Sequence, residues 1–276
     1  MSPDPTTHDP ELSASMARTP MRILPTPDDI GQYVAARMLR QITDSARDGR
    51  RCLLGLPTGR TPRPIYAALA RMLAARPQSL SHVTLVMMDE YLVESVDGFT
   101  YAMASGAPSC HDFTRTEIVG QLNAALPDTC HLAEHQVWFP EPRNPDRYDD
   151  DIRDAGGIDF FLAASGAGDG HVAFNPPGSA LDSRSRVIML SEQTRRDNLQ
   201  TFPALGSLGN VPRYGVSVGI ATIIASREVV MVAWGEGKRT TVARMRAATR
   251  YEPDWPATLI HECARGEIVV DIAAAS

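Results

Sequence analysis

Residues 56–62 have the composition of a phosphate-binding loop. They join an apolar run to the start of a helical pattern and contain one glycine, two threonines and one arginine. Backbone N–H groups at a helix start and the hydroxyls of Thr58 and Thr61 can donate to a phosphate, and Gly59 allows a tight turn. Arg60 is a cation near a helix N-terminus, where the helix dipole disfavours it unless an anion binds there. The alternative is an ordinary turn in which Thr61 caps the helix.

Asp89 and Glu90 could supply a general base. The two acids come directly after residues 83–88, a mostly apolar run of strand length. A carboxylate held at the end of a buried strand can take a proton from a substrate carbon. The alternative is a pair of acids that face solvent on a loop.

The glycine-rich segment 165–178 contains further candidates for proton transfer. It follows another predicted strand and includes His171, a residue type that exchanges protons near neutral pH. Asp169 comes two residues earlier and could orient His171 or stabilise its charge. The glycines, among them Gly168, allow the backbone to approach a ligand. A histidine in such a loop is not at a typical core position, which favours a chemical role.

Lys238 repeats the pattern seen at Arg60. It follows the apolar run 229–234 at the start of a predicted helix, where a cation is again unfavourable unless it faces an anion. The two cations therefore support one anion site.

The elements that must position these clusters alternate between strand and helix. Apolar runs predict strands at 21–24, 52–56, 83–88, 158–164, 187–190, 216–218, 229–234 and 268–270. Helical patterns cover 26–49, the segment after residue 62, 112–125, 146–155 and 238–248. Such alternation predicts the α/β class, with a Rossmann-like, mostly parallel sheet and helices on both faces. Because ligands bind at the carboxyl ends of parallel strands, the polar clusters are expected to meet there.

The remaining sequence predicts one domain with a tail. Residues 1–20 are rich in proline, serine and threonine and predict a disordered tail. Residues 21–276 contain no linker strong enough to divide them, so we expect a single α/β domain. Residues 91–111 are poorly patterned and rich in small side chains, which predicts a lid or a mobile loop.

Composition excludes several classes of partner. The formal net charge of -6 argues against a nucleic-acid binder, and no apolar run approaches the roughly 18 residues of a membrane span.

Four cysteines without a C-x-x-C pair predict free thiols and a cytoplasmic protein. Cys110-His111 and Cys130-His131 match no closed zinc pattern, so no metal site is expected.

Taken together, these motifs resemble the glucosamine-6-phosphate deaminase family, whose superfamily includes the 6-phosphogluconolactonases. The resemblance covers roughly residues 21–272 and is carried by the segments 55–59, 88–91, 148–153, 169–175, 211–214, 217–219, 235–238 and 256–261. It implies the fold of that family and a phosphorylated sugar as the partner. It implies no metal or organic cofactor, and it leaves a homo-oligomer open.

The resemblance also implies a role for each cluster. Asp89 would move a proton between C1 and C2 of an open-chain amino-sugar phosphate, and His171, oriented by Asp169, would help to open the sugar ring. The expected substrate-binding residues are Thr58, Gly59, Arg60, Thr61, Glu90, Gly168, Asn175 and Lys238. The predicted function is therefore a sugar-phosphate isomerase or deaminase.

Two departures from the family pattern leave other functions open. The family has a glutamate where this chain has Pro176, and its phosphate-binding arginine falls on Gln200. We expect Arg60 to replace that arginine. A 6-phosphogluconolactonase-like hydrolase needs no such glutamate, because its histidine activates water directly. The third alternative is a non-catalytic sugar-phosphate-binding domain.

Overall fold

A computed structural model describes residues 19–102 and 109–276 of the chain. The strands in these two ranges are β1 (Met21–Leu24), β2 (Cys52–Leu56), β3 (Val83–Met87), β4 (Asp89–Ser95), β5 (Gly98–Tyr101), β6 (Val137–Trp138), β7 (Phe160–Ala164), β8 (Arg186–Met189), β9 (Tyr214–Ser217), β10 (Val229–Ala233) and β11 (Gly266–Asp271). Seven of them form an all-parallel sheet in the order β1-β11-β10-β7-β2-β3-β6. This sheet confirms the predicted fold class.

Helices cover the sheet on both faces. They are α1 (Pro27–Arg47), α2 (Arg63–Ala75), α3 (Cys110–Phe113), α4 (Gly120–Ala124), α5 (Pro145–Asp154), α6 (Glu192–Thr201), α7 (Ile220–Ile224), α8 (Arg239–Ala247) and α9 (Ile272–Ala275), with a π-helical segment, Thr114–Val119, joining α3 to α4. Leu54 and Leu56 of β2 pack in a core with α1 and α2, whereas Leu53 packs in a second core on the other face. Successive strand side chains point to opposite faces, so an apolar run such as β2 serves both cores.

The first helix begins as its sequence predicts. The Thr26 hydroxyl accepts from the Asp29 backbone N–H at 3.1 Å, and the Asp29 carboxylate accepts from the Thr26 backbone N–H at 3.1 Å. This reciprocal capping box satisfies two N–H groups at the start of α1. At α2 the alternative of an ordinary turn capped by Thr61 does not hold, because Pro62 occupies the capping position and makes no side-chain hydrogen bond.

A second sheet was not predicted. It is antiparallel, in the order β5-β4-β9-β8, and it contains β8 and β9, two of the strands predicted from apolar runs. Strand β4 begins two residues after β3 ends, so Asp89 and Glu90 lie on a strand rather than on a loop. Apolar pattern reveals that a segment is buried but not which strand it pairs with.

The structure also changes the predicted segment boundaries. Thr19 and Pro20 were assigned to the tail, but Thr19 bonds His261 and the Pro20 carbonyl accepts from the Ile268 backbone N–H. Residues 1–18 of that tail lie outside the described residues, as do residues 103–108 of the predicted lid. The preceding part of that lid, residues 91–101, consists mainly of strands β4 and β5. Within 19–102 and 109–276, every helix is too short or too polar to span a lipid bilayer.

Candidate active site

A cavity of about 340 Å³ lies at the carboxyl ends of β2, β3, β7 and β10. Segments that follow each of these strands line it, as expected for a ligand site in a parallel sheet. Seven of the predicted catalytic and substrate-binding residues line this cavity, namely Thr58, Gly59, Arg60, Thr61, Asp89, His171 and Lys238. Side chains separated by up to 180 residues in the chain are thus brought to one place.

Two cations line the cavity. The exposed Arg60 donates from Nη2 to Gln200 Oε1 at 2.8 Å, and Lys238 donates from Nζ to the Ser165 carbonyl oxygen. Burial is the main reason that the pKa of Lys238 is lowered, while Asp197 opposes this shift and Arg60 adds to it. A bound anion would offset both the burial of the ammonium and its repulsion by the guanidinium. The arrangement therefore fits a phosphate group.

Asp89 is a buried carboxylate that faces the cavity. Only 5% of the residue is exposed. Burial raises its pKa to about 7; the hydrogen bond from the Cys110 thiol lowers the pKa, and the negative charge of Glu90 raises it. Near neutral pH such a carboxylate is partly ionised and is a much stronger base than an exposed aspartate. The environment of Asp89 thus suits proton abstraction.

Glu90 does not line the cavity, which disagrees with its predicted role in substrate binding. It is 1% exposed and accepts hydrogen bonds at the start of α3, from the backbone N–H groups of Cys110 at 3.0 Å and His111 at 2.9 Å. It also accepts from the Ser109 hydroxyl at 3.3 Å. Because Asp89 and Glu90 are consecutive on β4, their side chains point to opposite faces. The hydrogen bonds of Glu90 therefore anchor α3, and its side chain is not part of the cavity lining.

Asp169 and His171 form the expected pair. His171 Nδ1 lies 2.6 Å from Asp169 Oδ1, and the Ser191 hydroxyl donates to Asp169 Oδ2 at 2.9 Å. Burial raises the pKa of Asp169, but hydrogen bonding and charge from His171, together with Ser191, lower it overall. The ionised Asp169 holds His171 with its ring at the cavity, so the ring can exchange a proton with a ligand.

Two other predicted contacts lie outside the cavity. Gly168 packs against Gln193, where an added Cβ would meet the Gln193 side chain at 2.8 Å. Asn175 is fully buried and donates to the carbonyl oxygens of Val172 and Val218. The glycine that the site requires is Gly166, because a Cβ there would meet His171 Nδ1 at 2.2 Å.

Helix α6 contributes cavity residues that the sequence analysis missed. They are Asp197, Asn198 and Thr201, with Phe202 directly after the helix, whereas Gln200, which also lines the cavity, had been singled out as the position of the family's arginine. The helix has only one buried residue, so it lacks the apolar periodicity on which our helix predictions relied. Its start could have been found from Ser191, whose hydroxyl accepts from the Thr194 backbone N–H at 3.0 Å as a helix cap.

Pro176 supplies no acid–base group and is not among the residues that line the cavity. Its carbonyl oxygen accepts from the Ser179 hydroxyl at 2.7 Å. His171 is therefore paired with Asp169 and is also 3.2 Å from the Thr194 hydroxyl.

In the described ranges, no three histidine, cysteine or acidic side chains are grouped in a way that could hold a metal ion.

Comparison with known proteins gives consistent results. The family model described as glucosamine-6-phosphate isomerases/6-phosphogluconolactonase matches residues 25–270. A glucosamine-6-phosphate deaminase 1 of Giardia intestinalis is 32% identical over 245 residues, covering 87% of this chain and 85% of the relative. A glucosamine-6-phosphate deaminase of Rhodococcus jostii (strain RHA1) is 34% identical over 229 residues, covering 81% and 80% of the two chains.

Solved structures share the architecture. A monomeric glucosamine-6-phosphate deaminase superposes with a TM-score of 0.77 at 25% identity, covering 93% of this chain and 98% of the other. A 6-phosphogluconolactonase from Shewanella baltica OS155 superposes with a TM-score of 0.65 at 14% identity, covering 93% and 98%. The second similarity concerns the fold alone.

Proposed function

We propose that this chain, which belongs to the family of glucosamine-6-phosphate isomerases and 6-phosphogluconolactonases, is an enzyme that isomerises and deaminates an amino-sugar phosphate such as glucosamine 6-phosphate. The observation that carries the proposal is Asp89, a buried carboxylate facing the cavity with a pKa raised to about 7. Proton transfer between adjacent carbons needs such a base, whereas hydrolysis of a lactone does not.

The cavity can hold the substrate by its phosphate. Lys238, Arg60 and the hydroxyls of Thr58 and Thr61 supply cationic and neutral donors for the phosphate oxygens. With the phosphate held there, the sugar carbons are expected to extend toward Asp89 and His171. His171 transfers a proton during ring opening, and the ionised Asp169 stabilises its protonated form.

Asp89 then acts on the open chain. It removes the proton from C2 of the aldehyde while the carbonyl oxygen O1 takes a proton from solvent, which leaves an enolamine. It then returns its proton to C1 while the amine at C2 releases a proton to solvent. The product has a hydroxyl at C1 and an imine at C2. Water hydrolyses this imine to a ketone and releases ammonia. The base is restored in its ionised form at the end of the cycle.

A panel of substrates tests the proposal. The protein is incubated in D₂O with glucosamine 6-phosphate, its stereoisomers and 6-phosphogluconolactone, and ammonia, ketose and acid products are assayed. We expect ammonia and ketose from an amino-sugar phosphate, with deuterium incorporated at C1. Acid formed from the lactone alone would instead support the hydrolase, an alternative favoured by Pro176, which lacks the carboxylate of the family glutamate. Binding without turnover of any substrate would support the non-catalytic alternative.

The pH dependence of catalysis should follow the titration of Asp89. The ionised form is the base, and the pKa is raised to about 7, so its fraction falls as the pH is lowered through that value. We expect kcat/KM to decrease about tenfold per pH unit below this point. The measurement is kcat/KM for the amino-sugar phosphate between pH 5 and pH 9. A value of kcat/KM that stays constant down to pH 5 would contradict the assignment of Asp89 as the base.

Replacement of His171 should affect ring opening selectively. His171→Gln removes the proton-transfer group, and we expect an additional loss of about tenfold on a cyclic substrate relative to an analogue without the ring-closing C5 hydroxyl. Spontaneous ring opening in water limits the loss. The measurement compares kcat/KM for the two substrates in both proteins.

The ring-opening assignment has its own control. Pro176→Glu supplies a carboxylate where the family has one and is expected to raise activity on the cyclic substrate only. Equal losses on the cyclic and open-chain substrates in His171→Gln would show that His171 does not act in ring opening.

A further inference from the structure

The thiol of Cys110 lies between the proposed phosphate loop and the proposed base. It donates to Asp89 Oδ1 at an Sγ–Oδ1 distance of 3.4 Å, and Sγ is also 3.4 Å from the Thr58 hydroxyl. Cys110 is 1% exposed and begins α3. Its backbone N–H donates to Glu90, which anchors the start of the helix that carries the thiol.

Cys110 stays protonated in this position. Burial raises its pKa well above the usual range, and the charges of Glu90 and Asp89 raise it further. A thiol is a weak hydrogen-bond donor. It therefore favours ionised Asp89 less than a hydroxyl in the same place would.

We propose that Cys110 is a positioning residue for Asp89, whose thiol holds one carboxylate oxygen and leaves the other free for the substrate, while its weak donation preserves the basicity of the carboxylate. This inference rests on the proposed function of Asp89 as the base. The contact with Thr58 places the same sulfur against the phosphate loop, so the base and the phosphate site share one support.

The surroundings of Asp89 provide other influences on its titration. Besides Cys110, the titratable groups that act on it or line the same cavity are Glu90, Tyr91, Tyr148, Arg60, His171, Asp197 and Lys238. Burial holds the pKa of both tyrosines well above the usual range, so they stay neutral. None of these groups is changed in a Cys110 variant, so a change in the titration of Asp89 reports on the thiol.

Two variants should shift this titration in opposite directions. Cys110→Ala removes the donor and is expected to raise the pH midpoint of the Asp89 titration by about half a pH unit to one pH unit. Cys110→Ser supplies a stronger donor and should lower this midpoint by a similar amount. The midpoint is measured by ¹³C NMR of the carboxyl carbons in the ligand-free protein, with Asp89→Asn identifying the signal. The pH profile of kcat/KM is measured on the same variants, and Cys130→Ala, at a half-buried thiol outside the cavity lining, is the matched control.

Opposite shifts in the two variants, with no shift in Cys130→Ala, would support the proposal, because a purely structural role of Cys110 predicts no dependence on donor strength. Unchanged midpoints, or shifts of the same sign, would overturn it. Shifts in the NMR titration that the profile of kcat/KM does not follow would keep the thiol as a positioning group for the carboxylate and reject Asp89 as the base. Cys110→Ser retains a polar group of similar size, so the test does not depend on the alanine variant folding.

Discussion

Asp89→Asn is expected to lower kcat by about 10²-fold or more while KM changes little. The amide has nearly the same shape as the carboxylate but cannot accept the proton from C2. Because Asp89 is 5% exposed, the substitution also removes a charge that burial disfavours, so we expect the fold to tolerate it. Steady-state kinetics and deuterium incorporation at C1 measure the loss directly.

Asp112→Asn is the matched control for this variant. Asp112 is an exposed carboxylate on α3 that pairs with Arg115, so its loss should leave kcat within about twofold. Full activity of Asp89→Asn would remove Asp89 from the mechanism. If that variant lost the isomerase reaction but still hydrolysed a lactone, the two reactions would depend on different residues of the cavity.

Arg60→Ala is expected to weaken binding of a phosphorylated ligand by about 10- to 150-fold, which corresponds to the roughly 1.5–3 kcal/mol of a hydrogen bond to a charged group. The physical reason is the place of Arg60 at the cavity, where its guanidinium bonds Gln200 at 2.8 Å and its charge acts on Lys238. A guanidinium can grip a phosphate through two N–H groups. We therefore infer that Arg60 supplies the positive charge that the family places at position 200.

Calorimetry with a phosphorylated ligand and its unphosphorylated analogue tests this exchange of cations. The analogue should bind almost equally to the wild type and to Arg60→Ala, and adding Gln200→Arg to that variant should recover part of the phosphate affinity. Arg63→Ala is the control, because Arg63 lies on α2 outside the cavity lining and pairs with Glu117. Equal weakening of both ligands, or of neither, would show that Arg60 does not bind the phosphate.

Features that depend on neighbouring residues could be predicted from the sequence. The buried run of β2, the Thr26 cap of α1 and the pairing of Asp169 with His171 all involve residues within a few positions of one another. The sequence signals for them therefore lie within short segments of the chain. The clusters that follow parallel strands could also be placed together, because such strands present their carboxyl ends at one edge of the sheet.

The opposite orientation of Asp89 and Glu90 follows from a fact that the sequence did not reveal, namely that residue 89 begins a strand of a second sheet. Once that strand is known, alternation sends one carboxylate into the cavity and the other toward α3. The apolar run before Asp89 gives no sign of this change of sheet, because strand pairing depends on distant segments.

The tertiary structure alone decided the contacts between distant segments. Arg60 meets Gln200 across 140 positions, and Cys110 reaches Asp89 across 21. Helix α6 is mostly polar, so nothing in its periodicity predicts that it closes the cavity. Local preference and apolar pattern are properties of short stretches of sequence, whereas the pKa of Asp89 results from burial by the whole fold. The sequence therefore determined the residue types available for the chemistry, and the packing of distant elements determined which of them face the substrate.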